Sequence, residues 1–285
     1  MSVAELVDGA GLRPIKGPTA LGGDLRRLLH LTVTLAVMEF KLRFFGSALG
    51  YLWQLMRPLL LFGVLYVVFT EFVRLGAGVR FYPAVLLTNI VMFGFFADTT
   101  SASVASLVDR ENLVRRIEFP RLVVPLAVML TAYINLILNL LAVLVFVLIT
   151  GVEPRWEWLL FPLVLVALGA LAGGVSMLLS ALYVRFRDLQ PIWEVVLQAL
   201  FYATPILYVI ETLPTARLQH LLMLSPVAAL LTEVRHVFID PHAPSATAAA
   251  GGTLRLLIPI VIVLVLLVLG FWVFNREAPR IAEEL

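Results

Sequence analysis

The chain has 285 residues, of which 61% are hydrophobic and 14% charged, with a net charge of +2 at pH 7. With a mean hydropathy of +0.99, this composition excludes a soluble globular domain and reads as an integral membrane protein. The chain has no cysteine, which excludes disulfides, thiolate chemistry and cysteine metal sites.

No leader of basic, apolar and small residues opens the chain, and the N-terminus is expected to be retained. Within a cytoplasmic N-terminal region, 1–50, the stretch 24–45 reads as one helix. Leu28, Leu31, Leu35, Met38, Leu42 and Phe45 form an apolar stripe, and Arg26, His30, Thr34 and Lys41 lie away from it. Val33, Phe40 and Phe44 fall off the stripe and widen the apolar face. A helix of this kind, too short to span, suits a membrane–water interface; a soluble helix packed on the rest of the protein is the other reading.

Apolar runs follow near 58–72, 84–106, 122–150, 159–183, 192–210 and 254–274. A crossing needs about 20 mostly apolar residues, so the first run must begin near Tyr51 and carry Arg57 near one end. The expected fold is therefore all-α, with six membrane spans per protomer over a transmembrane domain of 51–274 and a cytoplasmic tail of 275–285.

Orientation follows from the basic residues. One set of connecting segments carries Arg13, Lys16, Arg26, Arg27, Lys41, Arg43, Arg57, Arg110, Arg115, Arg116, Arg121, Arg185, Arg187, Arg276 and Arg280. The other set carries only Arg74, Arg80, Arg155, Arg217, Arg235 and Arg255. The bias places both termini in the cytoplasm.

Between the second and third runs lies DRENLVRRIEFPR, 109–121, with Asp109, Arg110, Glu111, Arg115, Arg116, Glu118 and Arg121 charged. Such a cluster cannot sit in hydrocarbon. It reads as a short helix or loop at the cytoplasmic surface that meets a soluble partner, or as a charged loop that only fixes topology. On the outer side, 211–253 contains two short apolar stretches split by Ser225-Pro226. Pro226 cannot continue the first stretch as a regular helix. The expectation is a re-entrant helical hairpin in the outer leaflet before the last span; the other reading is a surface loop.

Three motifs stand in order among these runs. They are EFKLRFFGSALGYLWQLMRPLL at 39–60, RENLVRRIEFPRLVVPL at 110–126, and RFRDL at 185–189 followed by QALFYATPILY at 198–208. Together they resemble the permease subunit of ABC transporters that export polysaccharides such as O-antigen, capsule, teichoic acid and galactan. The likeness covers nearly the whole chain. Two positions depart from the family pattern: Thr204 stands where Ser is frequent before the Pro-Ile pair, and Ser225 where Asn is frequent before Pro.

The resemblance implies ATP-driven export of a lipid-diphosphate-linked polysaccharide by a homodimer bearing two P-loop ATPase subunits. The implied location is the bacterial cytoplasmic membrane, and the implied substrate an undecaprenyl-type lipid-linked glycan. The chain has no phosphate loop of its own, so ATP and Mg would bind the partner, with no cofactor, metal, catalytic residue or nucleic acid on this chain. Arg110, Glu111, Asn112, Leu113, Val114, Arg115, Arg116 and Ile117 would couple to the ATPase, with Leu113, Val114 and Ile117 seated in its groove.

Lys41, Arg43 and Arg57 would attract the diphosphate, although for Lys41 and Arg43 anionic-lipid binding or topology is an equal reading. Tyr51, Trp53, Trp193, Phe201, Tyr202 and Tyr208 would contact sugars, or form an interfacial aromatic belt. Thr204-Pro205 and Ser225-Pro226 would supply a gate. Asp98 lies inside a predicted span, either paired with Arg57 or hydrated at a span that ends early. Gly169 and Gly173 form a GxxxG that packs helices closely, within one subunit or across a dimer.

Three alternatives carry less of the sequence. An exporter of a small lipophile or drug would share the fold. A secondary transporter would show an internal repeat, and none is visible. A glycan-modifying membrane enzyme would need converging acids or a metal set, whereas His30, His220, His236 and His242 fall outside the spans without one.

Overall fold

The computed structural model describes residues 25–44, 48–74, 76, 78–114 and 119–284, and among them every regular element is helical. In chain order these are α1 (Leu25–Phe44), α2 (Ala48–Val67, ending in a π-turn, Val68–Phe72), α3 (Tyr82–Val104), and two short helices, α4 (Ser106–Asp109) and α5 (Glu111–Val114). Then come α6 (Val123–Ile149), a 3-10 turn (Trp156–Leu160), α7 (Phe161–Tyr183), α8 (Leu189–Ala203) and a 3-10 turn (Ile210–Thr212). The chain ends with α9 (Ala216–Leu222), α10 (Pro226–Val234, with a π-turn, Arg235–Ile239), α11 (Ala246–Ala250) and α12 (Thr253–Glu284).

Among the described residues, five helices are long and apolar enough to cross a membrane: Leu52–Phe72, Tyr82–Val104, Val123–Ile149, Trp156–Tyr183 and Thr253–Ala278. Their burial is unequal. The apolar window of α3 is 78% buried, that of α2 not at all and that of α12 only 11%. Helices apolar all round yet uncovered by their own protein are built for a lipid or protein surround. Central α3 carries hydroxyls that bond within the helix: Thr88, Thr99, Thr100 and Ser103 each donate to the carbonyl four residues back, at 2.6–2.8 Å. These four hydroxyls are thus satisfied within the helix itself.

Small residues set the closest packing. α7 lies between α3 and α12. A Cβ on Gly174 of α7 would stand 2.8 Å from the backbone of Leu266, and one on Gly270 of α12 would overlap the Gly174 carbonyl oxygen. Gly169 faces the Tyr133 ring of α6, whose hydroxyl donates to the Leu165 carbonyl at 3.0 Å, and a Cβ on Gly173 would stand 3.0 Å from Met129 Sδ. The glycines left open by the sequence thus pack within one subunit.

α1 is held to α6 along Leu28, Thr32 and Ala36, all buried, with Leu31 and Leu35 beside them. Met38 and Leu42, expected on the same stripe, are exposed, as are Leu25, Leu29 and Val33. The helix therefore has two apolar faces, one of them covered. Phe45 lies outside the described residues.

The fifth expected span, 192–210, is not a continuous helix. α8 has 15 residues and stops at Thr204, whose backbone is extended (φ −94°, ψ 155°). Pro205 removes a donor and forbids the next turn. The segment nonetheless runs antiparallel along α3. Trp193 Nε1 donates to Thr100 Oγ1 at 3.0 Å, Phe201 meets Phe93 edge to face, and Tyr82 donates to the Leu207 carbonyl at 2.7 Å. Tyr82 and Thr100 lie about 27 Å apart along a helix rising 1.5 Å per residue, so helix and irregular backbone together match the depth of α3. The last helix also differs from expectation: α12 continues to Glu284, through the stretch read as a separate tail.

Candidate functional site

A cleft of about 770 Å³ opens between α1, α2, α3 and α6. Glu39, Arg57, Asp98, Asp109 and Arg110 line one end, where α3 passes into α4 and α5. Toward Phe93 and Phe201 the lining is apolar, relieved by Asn135 and Asn139 of α6. Asn139 donates to the Asn135 carbonyl at 2.9 Å, while Asn135 Oδ1 is buried with no protein partner. Arg57 and Asp98 are both exposed and share this cleft.

The charged segment is partly turned inward. Arg110 donates to Glu39 of α1 and to the Ser106 carbonyl at 3.1 Å, so it ties α1 to α4. Arg121 is only 2% exposed. Val114, expected to seat in a partner's groove, is fully buried in the chain's own core with Leu107, Leu122 and Phe274. It anchors the segment to the body, because an aliphatic side chain beside the bundle gains more from its own core than from water. Asn112 is exposed, and Leu113 and Glu111 are partly exposed. Arg115, Arg116 and Ile117 lie outside the described residues.

Of the residues expected to attract a diphosphate, Arg57 is in the cleft, and Lys41 is exposed on α1. The side chain of Arg43 lies outside the described residues. The expected sugar-contact rings do not converge. Phe201 lines the cleft, half-buried Trp193 braces α8 against Thr100 and Phe96, and Trp53 and Tyr202 are exposed. Tyr208 donates to the Ala203 carbonyl at 3.0 Å. The Tyr51 side chain lies outside the described residues.

Of the residues expected to form a gate, Thr204 and Pro205 are buried and Ser225 and Pro226 half-buried. Thr204 is 1% exposed, and its hydroxyl returns to the Leu200 carbonyl at 2.8 Å. The Pro205 carbonyl accepts from Asn89 Nδ2 of α3 at 2.9 Å. This broken backbone is thus satisfied from α3 and buried in protein, one of the two ways irregular backbone survives at depth. Ser225 precedes Pro226, the first residue of α10, and α9 meets α10 and its π-turn at a bend of 104°. Thr232 Oγ1 lies 3.7 Å from Met223 Sδ across that bend. Buried Arg235 binds Glu211 through Nη1 at 2.7 and 2.9 Å, fastening the hairpin to the end of the broken span.

Sequence reasoning missed Asn89, Glu39, Asn135, Asn139, Glu211 and the partnership of Arg235. Asn89, an amide in an otherwise apolar run, carried a signal, because such a group needs a partner inside the membrane. The partner, 116 residues away, carried none.

Residues 30–239 match the family model described as ABC-2 type transporter. The chain is 30% identical over 224 residues to the O-antigen export system permease protein RfbA of Myxococcus xanthus, covering 78% of this chain and 85% of that one. It is 27% identical over 266 residues to a protein of the same name from Klebsiella pneumoniae, covering 92% and 97%. With its apolar helices of crossing length, the chain is a multi-pass membrane protein, and it belongs to the ABC-2 type transporter family.

Proposed function

We propose that this chain is the membrane subunit of an ATP-driven exporter that moves a lipid-diphosphate-linked polysaccharide out of the bacterial cytoplasm. It acts as a homodimer with two P-loop ATPase subunits, which bind the ATP and Mg. The observation that carries the reading is the cleft, with Arg57 among charged groups at one end and an apolar wall rising from it past Phe93 and Phe201. The O-antigen export permeases to which the chain is similar support the substrate class.

In this reading six crossings, the fifth completed by irregular backbone, leave both termini in the cytoplasm. α1 lies at the inner interface, its covered face on α6 and its other apolar face in lipid. The hairpin of α9 and α10 dips into the outer leaflet. The uncovered apolar faces of α2 (Trp53, Leu60, Val64) and α8 (Ile192, Val195, Tyr202) meet the second copy. A diphosphate enters at the charged end, where Arg57 forms charge-assisted hydrogen bonds. Glu39 pairs with Arg110, and Arg57 shares this end of the cleft with Asp98 and Asp109. The exposed parts of the segment, Asn112 and Leu113, meet the ATPase. Removing the chain from its source cell tests the reading. Lipid-linked glycan should accumulate on the inner membrane face while surface glycan disappears; unchanged surface glycan would defeat it.

A further inference from the structure

Where the broken span, α3 and the outer hairpin meet, a small pocket is lined by Val85, Asn89, Pro205, Tyr208, Thr232 and Arg235, among others. Its cavity volume is about 10 Å³, the scale of a single water molecule. Asn89 and Arg235 are both more than nine-tenths buried, at 2% and 7% exposed. Each has one polar atom without a protein partner: Asn89 Oδ1 and Arg235 Nε.

The two atoms are complementary. The bond from Asn89 Nδ2 to the Pro205 carbonyl fixes the amide's orientation, so the atom left over is the acceptor oxygen. Arg235 spends Nη1 on Glu211, and its Nε–H is a donor only. Left unpaired, each group carries an uncompensated desolvation cost. One molecule that both donates and accepts satisfies the two together.

We propose that this pocket is a binding site for one buried water, which donates to Asn89 Oδ1 and accepts from Arg235 Nε. The water joins α3 to the π-turn of the hairpin at the point where Pro205 interrupts the fifth span. With the Arg235–Glu211 pair it forms a hydrated latch that holds the hairpin on the broken span. The inference stands on the packing alone and does not depend on what is exported.

The test is an experimental map of the intact protein in a lipid nanodisc, at a resolution that shows ordered water. A peak within hydrogen-bond distance of both Asn89 and Arg235 is expected. No peak, or direct contact between the two side chains, would overturn the proposal. The second measurement uses Arg235→Lys, which keeps a charge for Glu211 but lacks the planar fork. The peak should vanish, and amide exchange over 226–239 should rise about five- to tenfold with α6 and α7 unchanged. If Arg235→Lys leaves both the map and the exchange as they were, the latch does not exist.

Discussion

Arg110 and Glu39 lie 71 residues apart, yet their side chains form an ion pair with N···O 2.5 Å at the rim of the cleft. The pair joins the charged segment to α1, so movement of one is felt by the other. Their side chains are 23% and 20% exposed, which makes the pair worth more than a fully solvated one. Either Glu39→Arg or Arg110→Glu alone should cost about 1 kcal/mol of stability and lower export, and the double swap should restore both. Thermal unfolding and surface glycan read the two effects. Single variants that behave as the parent would remove the pair from the account.

Arg57 is the cation that the proposed mechanism relies on. Charge-assisted hydrogen bonds contribute about 1.5–3 kcal/mol, so Arg57→Ala should weaken binding of a lipid diphosphate by roughly 10- to 150-fold. Binding of a neutral lipid of the same chain length should not change. Titration of labelled lipid in nanodiscs separates the two.

Gly270 sits against the Gly174 carbonyl, so Gly270→Ala must push α12 off α7. Overpacking of this kind costs about 1–3 kcal/mol. Gly94→Ala is the control, because a Cβ there meets nothing within 4 Å and a helical alanine is favoured by about 0.5–1 kcal/mol. Thermal unfolding of the two variants should differ in sign.

Tyr82→Phe leaves the Leu207 carbonyl without its donor. The cost should be about 0.6–1.5 kcal/mol, with faster amide exchange confined to 204–210. Exchange spread over the whole bundle would mean that Tyr82 holds more than this segment.

Length and hydropathy made α3, α6, α7 and α12 readable, because a crossing helix writes its requirement into every residue of a long run. Pro205 and Pro226 marked where helices stop, since proline acts locally. The partners that make those breaks tolerable were not readable. Asn89 for Pro205, Tyr82 for Leu207 and Glu211 for Arg235 come from elements brought together only by folding. The charged segment misled in one respect. Its composition speaks for water, yet Val114 and Arg121 are buried, because a segment tied at both ends to a bundle turns part of itself inward. The glycines of α7 gave a packing motif without its partners, and Tyr133, Met129 and Leu266 are those partners.

The most direct test of the central claim is to purify the tagged chain gently from its source cell and measure ATP hydrolysis with and without lipid-diphosphate-linked glycan. A phosphate-loop ATPase should accompany the chain, and its hydrolysis should respond to the glycan. The response should be lost when 110–121 is replaced by a neutral linker that still inserts. A chain that purifies without any ATPase, or hydrolysis indifferent to the glycan, would contradict the account.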